Sequence, residues 1–347
     1  MRPRARLARW GIALFGGLAV TVLAVALFLH REGSQQRRAE ALELARQGRM
    51  ADAEPYLAEA LARDPEDVEV LEAQAAGYLA AKQFAEAGQA LSRWRALRPD
   101  DVEAHLLLID LSLRQNHQAG AIDAAGEVLR LKPRYHELRQ KRAIWLLVEG
   151  RTEEADRECR LCREGRPNDP ALLLLQAEIC YRLGDLRQTE QFAEAALRQR
   201  PNAFGALVLR GAAHVDAGRP EQAVAPLQAA LAAGGDEEGE GRARHYLSLA
   251  LARTGQEAEA RRVQAEAKRR QAVRLWKKYG QQDTAAYKVI LAESLLETGN
   301  AEEAVRVLEQ VVAQSPDCPA AHRLLARHFQ AQGREDRAAE HRRKAGD

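Results

Sequence analysis

The sequence predicts an all-α protein, a solenoid of stacked helix-turn-helix units preceded by one transmembrane helix. Three observations carry this expectation. Pro65, Pro99, Pro133, Pro167 and Pro201 each stand 34 residues after the one before, and a fixed period of that length marks a unit that stacks on copies of itself. Hydrophobic residues make up 46% of the chain but aromatic residues only 5%, so the core must be built mainly from Ala and Leu. Both are strong helix formers and weak strand formers. Finally, Trp10 to Leu29 is an unbroken uncharged stretch, and a helix of that length spans roughly 30 Å, the thickness of a bilayer's hydrocarbon core.

The basic segment 1–9 holds Arg2, Arg4, Arg6 and Arg9, and the predicted transmembrane helix occupies 10–29 as a signal anchor. The competing reading is a cleaved signal peptide, because Ala24-Val25-Ala26 fits a small-x-small cleavage site. Against cleavage near Ala26, Leu27, Phe28 and Leu29 continue the apolar run. Positive charge is in excess on the N-terminal side, since only Arg31, Arg37 and Arg38 follow the span. The positive-inside rule then places the N-terminus in the cytoplasm and the repeats outside it, the expected setting being a bacterial inner membrane. Ala13 and Gly17 form a small-xxx-small pair that would let two such spans pack together.

The prolines set the repeat boundaries at 34–67, 68–101, 102–135, 136–169 and 170–203. Each unit reads as two apolar helical patterns separated by a short break, the second stopped by proline, which lacks an N–H and clashes with the preceding turn. Repeat six covers 204–237 and completes a first block, 34–237. Gly234 to Gly241 reads as a flexible acidic loop, with repeat seven restarting near Gly241. Its second helix is expected to run long, from Glu257 to Lys278, so 238–284 is an interrupted repeat. Repeats eight and nine fill 285–347 and end on a polar helix that caps the solenoid in water. Pro55 and Pro226 fall inside second helices, where a kink is expected.

Three residue slots recur in phase. A small residue midway along the first helix appears as Ala41, Ala75, Ala143, Ala177, Gly211, Ala292 and Ala326. A glycine suited to the positive φ that ends a helix appears as Gly48, Gly150, Gly184, Gly218, Gly255, Gly299 and Gly333. An alanine in the second helix appears as Ala53, Ala87, Ala121, Ala155, Ala223, Ala260, Ala304 and Ala338. Repeat three departs from the pattern, with Ile109 and Asn116 in the first two slots. By its period and these slots the sequence resembles the tetratricopeptide repeat (TPR) family over almost everything after residue 33. The resemblance implies a right-handed superhelix whose first helices line a concave groove that binds proteins or peptides.

On that reading the groove residues are Leu79, Leu106, Asp110, Leu113, Arg114, Ile144, Leu147, Glu178, Tyr181, Arg182, Val208, Val215, Asp216, His245 and Arg253. An apolar centre with interleaved charge suits a partner segment. The family's Lys/Asn clamp for a terminal carboxylate does not transfer, because Glu72 and Ala76, Leu106 and Asp110, and Gln140 and Ile144 stand at its places.

Other chemistry finds little footing. Cys159 and Cys162 lie mid-helix at core positions, with Cys180 on the next helix. Packing is the expectation there, against a Cys162–Cys180 bridge or a metal site. Cys318, His322 and His328 lack ligand spacing and a fourth partner. No HExxH, Walker loop or GxSxG motif occurs, so neither an enzyme nor a cofactor is expected. The formal net charge of +2 gives no bulk attraction to nucleic acid. One local exception is the basic stretch 261–278, with Arg261, Arg262, Lys268, Arg269, Arg270, Arg274, Lys277 and Lys278. It is either a solvated face meeting acidic neighbours such as 236–240 or a contact for anionic lipid or nucleic acid. The sequence therefore predicts a membrane-anchored scaffold that binds proteins or peptides without catalysis, with electrostatic binding through 261–278 as the alternative.

Overall fold

Proline follows the second helix of a repeat, and the residue two places on caps the first helix of the next. Asp67, Asp101 and Asp169 follow Pro65, Pro99 and Pro167 at this spacing. Their carboxylates accept from Val70, Glu103 and Ala171 N–H, capping three first helices. An N-cap carboxylate satisfies backbone donors that otherwise have no partner in the helix.

The computed structural model describes residues 32–279, 284–297 and 299–346. Residues 10–29 lie outside this range. Among the described residues no helix is long and apolar enough to cross a membrane.

The described residues form helices in pairs. Repeats one to three hold α1 (32–46) and α2 (Met50–Arg63), α3 (Val68–Ala80) and α4 (Phe84–Leu97), and α5 (Val102–Arg114) and α6 (Gln118–Leu131). Repeats four to six hold α7 (His136–Val148) and α8 (Thr152–Gly165), α9 (Pro170–Arg182) and α10 (Leu186–Gln199), and α11 (Phe204–Asp216) and α12 (Pro220–Ala233). The last three hold α13 (Glu237–Arg253) and α14 (Glu257–Tyr279), α15 (Thr284–Glu297) and α16 (Ala301–Gln314), and α17 (Pro319–Ala331) and α18 (Glu335–Ala345). The chain divides into two compact units after Arg151, the first ending with α7 and the second beginning with α8.

Every turn between paired helices contains one residue with positive φ. Gly48, Gly150, Gly184, Gly218, Gly255, Gly299 and Gly333 take this conformation at φ of 72–83°, while Lys82 and Asn116 take it at 60° and 55°. The geometry reverses the chain tightly: Asp185 N–H donates to Cys180 O and Arg219 N–H to His214 O, each at 2.9 Å, closing the helix ends as a left-handed cap residue allows.

The small-residue slots lie at helix contacts. Ala41, Ala75, Ala143 and Ala177 are fully buried. Gly211 faces Leu227 so closely that a Cβ there would sit 2.4 Å from its Cγ. In repeat five, buried Thr189 takes the second-helix alanine place, its hydroxyl donating to Asp185 O at 2.8 Å. α2 and α12 continue past Pro55 and Pro226.

The acidic loop is shorter than the sequence suggests. Helix α13 begins at Glu237 and contains Gly239 and Gly241. Asp236 caps it by accepting from Gly239 N–H at 2.6 Å, so helix capping outweighs the glycines and repeat seven starts near 237. The final helix keeps only Ala338 and Ala345 buried, and Arg342 pairs there with Glu335 at 2.9 Å.

Candidate functional site

The helix period sorts the predicted groove residues into two groups. Leu79, Leu147, Val208 and Val215 are buried at 6% exposure or less, so they pack helices and present nothing to a partner; this corrects their assignment to an open surface. The physical reason is that Leu79 packs into the core of repeats one to three, Val208 against α12 and α13 residues such as Ala230 and Ala243, and Val215 against Leu227 and Leu247.

In the first unit the first helices leave an apolar row open. Leu113 on α5 is 39% exposed, and Ile144 and Val148 on α7 are 42% and 63% exposed. Leu106 is half-buried beside this row. Asp110 and Arg114, one turn apart, satisfy each other at 2.9 Å.

In the second unit the corresponding face is spanned by side chains. Helix α11 packs against both α9 and α13, and residues from those two flanking helices reach each other directly. Arg242 on α13 donates to Glu178 on α9 at 3.2 Å, with its guanidinium 5.4 Å from the Tyr181 ring centre. Tyr181 O–H donates to Asp216 at 2.5 Å, and Tyr246 O–H lies at the same distance from the Tyr181 oxygen. Burial, reinforced by Asp216, pushes the Tyr181 phenol far above its ordinary value. Arg182 pairs with Glu178 at 3.2 Å, and Arg253 donates to Val215 O at 2.7 Å. Glu178, Tyr181, Arg182 and Asp216 therefore form one network that ties first helices together, and Arg253 adds a separate tie from α13 to α11. Arg242 and Tyr246 belong to the network and were not anticipated, because only contact across two repeats reveals them.

His245 is exposed and lines a cleft of about 360 Å³ between α13 and α14, with Ser248, Gln264, Lys268, Arg270 and Arg274. Half of the described basic side chains of α14 already meet carboxylates. Arg261 pairs with Glu257 at 3.1 Å, Lys268 with Glu297 at 3.1 Å, and Arg270 with Glu266 at 2.8 Å and Glu240 at 3.0 Å. Arg262, Arg269 and Arg274 make no ion pair among the described residues, and the side chains of Lys277 and Lys278 lie outside them.

Cys159, Cys162 and Cys180 are buried. Burial pushes the Cys159 thiol up to about 12, which suppresses the thiolate that redox or metal chemistry needs. Gln176 Nε2–H donates to the Asp156 carboxylate at 2.6 Å and to Cys180 Sγ at 3.7 Å. His322 has both ring nitrogens engaged, one with Pro316 O and the other with His341, each at 2.8 Å. Among the described residues no group of three or more His, Cys, Asp or Glu is placed to hold a metal.

Comparison with known proteins supplies the family. A model described as Tetratricopeptide repeat matches residues 44–111 and 295–341, and a second of the same description matches 174–238. Together they take in just over half of the chain. No curated protein matches the sequence. Among solved structures, the chain is similar to MamA protein at 16% identity and a TM-score of 0.43, over 51% of this chain and 94% of that one. It is similar to a chain from the structure of Naa15/Naa10 bound to HypK-THB at 14% identity and a TM-score of 0.47, covering 89% of this chain but only 62% of that one. It is also similar to YrrB, titled a TPR protein with an unusual peptide-binding site, at 16% identity and a TM-score of 0.45, over 57% and 97% of the two chains.

Proposed function

Since the chain belongs to the tetratricopeptide repeat family, we infer that it is a non-catalytic scaffold whose first-helix face in the first unit binds partner proteins or peptides. The observation that carries this reading is the open apolar row Leu113, Ile144 and Val148. Large apolar side chains left exposed on corresponding faces of successive helices are what a partner's side chains can cover. In the second unit the matching face spends its polar groups on itself, through Glu178–Arg242 and Tyr181–Tyr246. A substitution pair decides between the faces: Leu113→Asp with Ile144→Asp abolishes partner binding, while Arg182→Glu with Asp216→Lys leaves it within a few-fold.

Residues 10–29 support a single-pass anchor with the N-terminus in the cytoplasm and the repeats outside, in a bacterial inner membrane. Cleavage near Ala26 would instead release the repeats. Anchoring would raise the local concentration of a membrane-proximal partner without stronger contacts, and Ala13 and Gly17 would let two anchors pack. A reporter fused after Asp347 tests the topology: activity only outside the cytoplasm agrees, and activity inside rejects it. Size of the mature chain by mass separates anchor from cleaved peptide. The alternative of an anionic ligand on 261–278 rests on Arg262, Arg269 and Arg274. Arg269→Glu with Arg274→Glu abolishing partner capture would favour it over the apolar face.

A further inference from the structure

Building on that reading of the first unit, we propose that the segment bound there is basic and amphipathic, with Arg or Lys along one edge and Leu, Ile or Val along the other. The unit offers the complement of both edges. Glu103 and Glu137 stand 34 residues apart, at the same place on α5 and α7. Ile144 lies seven residues after Glu137, which is two helical turns and so the same face, roughly 10 Å along the axis. The carboxylates thus form a row toward the start of the first helices, parallel to the apolar row toward their ends.

The acidic row carries no direct ion pair among the described residues. Glu72, Glu103 and Glu137 are exposed, and none of them pairs with a cation among the described residues. Elsewhere on these first helices Arg38 binds Asp67 and Glu69 at 2.7 and 2.8 Å and Arg114 binds Asp110 at 2.9 Å, while Lys141, four residues after Glu137, makes no ion pair among the described residues. Glu103 and Glu137 lie in first turns, where a carboxylate also favours the helix dipole. Glu72 lies a turn further on and has no such benefit. Its carboxyl is held above the ordinary range by partial desolvation and then by Asp101 and Glu103, with Arg46 opposing them. A guanidinium or ammonium placed between these groups would relieve the repulsion. Exposed apolar side chains alone would accept any apolar segment; the carboxylate row makes the choice, since like charge brought beside it is rejected.

The test uses the full chain and three synthetic peptides of equal length: one patterned in Leu and Arg, one with every Arg replaced by Glu, and one with every Leu replaced by Ser. Binding is read by fluorescence anisotropy at low and high salt. The Leu/Arg peptide binds best, and its affinity falls as salt shortens the screening length from about 10 Å at 0.1 M toward 3 Å at 1 M. Glu72→Lys, Glu103→Lys and Glu137→Lys combined weaken it by about tenfold or more, as expected for three partly exposed pairs. The neutral triple Glu→Gln variant gives a smaller loss, which separates charge from folding, and circular dichroism confirms helix content. Binding of the Leu/Glu peptide as tight as that of the Leu/Arg peptide overturns the inference, as does the absence of binding by any of the three. If the Leu/Glu peptide wins but loses affinity on Leu113→Asp with Ile144→Asp, the face stands and only the charge assignment falls. If no peptide's affinity responds to those two changes, the face itself is rejected.

Discussion

At each turn one residue carries the strain of a left-handed backbone. Glycine takes it seven times, but Lys82 and Asn116 occupy the same place with φ of 60° and 55°. An L residue in this region costs roughly 1–2 kcal/mol, of which glycine's extra chain entropy returns 0.5–1. Lys82→Gly is therefore expected to stabilise the protein by about 0.5–1 kcal/mol, and Gly184→Ala to destabilise it by a similar amount. Denaturant titration checks both, and a loss of stability in Lys82→Gly would contradict the account. The positive-φ glycines were legible in the sequence because their spacing repeats. Lys82 was not, since nothing in a lysine's chemistry announces a left-handed turn.

The buried cysteines give a second residue-scale outcome. Cys159 has its thiol pushed up to about 12, so iodoacetamide at pH 8 should leave it unmodified in the folded protein and alkylate it after denaturation. Its raised value contributes stability in full below the unfolded thiol's titration near 8.5 and loses it progressively above that. Rapid native labelling of Cys159, read by peptide mass, would show that the helix contact opens. Core placement of this pair was readable from the repeat phase. The polar neighbour Gln176 was not, because its hydrogen bond to Asp156 joins two helices.

Between elements, side-chain links hold the second unit's helices in pairs and triples. The Glu178–Arg242 contact joins α9 to α13, with 22% and 35% side-chain exposure. A double-mutant cycle on Glu178→Gln and Arg242→Gln should return a coupling of about 0.2–1 kcal/mol, the range for partly exposed pairs. Strict additivity would mean that the contact does not form in solution. The α17–α18 pair depends instead on His341, which burial first and then His322 hold below the ordinary imidazole value. Phe329, Arg337, Glu340 and Lys344 are its other neighbours. A depressed imidazole means that the unfolded chain takes up the proton first. Its stabilisation is thus present above about pH 6.5 and lost as pH falls through the folded value. His214, lowered chiefly by burial, acts in the same direction. The melting temperature should drop between pH 7 and pH 5, and His341→Asn should flatten that slope. An unchanged slope in the variant would assign the pH dependence elsewhere. Such pairs escape sequence reading because they form between residues whose spacing follows no fixed repeat position.

For the molecule as a whole, period and small-residue slots were enough to predict the helix pairs, since both arise from a unit that must pack against copies of itself. The open face was only half legible. Helical phase identifies which residues point away from the second helix, but burial depends on what the neighbouring repeat supplies. Leu79, Leu147, Val208 and Val215 were lost to the core for that reason, and Leu113, Ile144 and Val148 remained. The acidic row of Glu72, Glu103 and Glu137 became visible only once the ion pairs of the neighbouring helices had been placed. The same holds for α14, whose basic run loses much of its free charge to Glu240, Glu257, Glu266 and Glu297.

Selection of a displayed random peptide library against the full chain tests the central claim most directly. The enriched pool is then re-measured on Leu113→Asp with Ile144→Asp, and on a control, Leu161→Asp, at an exposed position of a second helix. The account predicts a loss of at least about tenfold in the first variant, as burying an unpaired charge in an apolar contact costs well over 1.4 kcal/mol, and no change in the control. A pool that keeps its affinity for the double variant and loses it only with Leu161→Asp would contradict it.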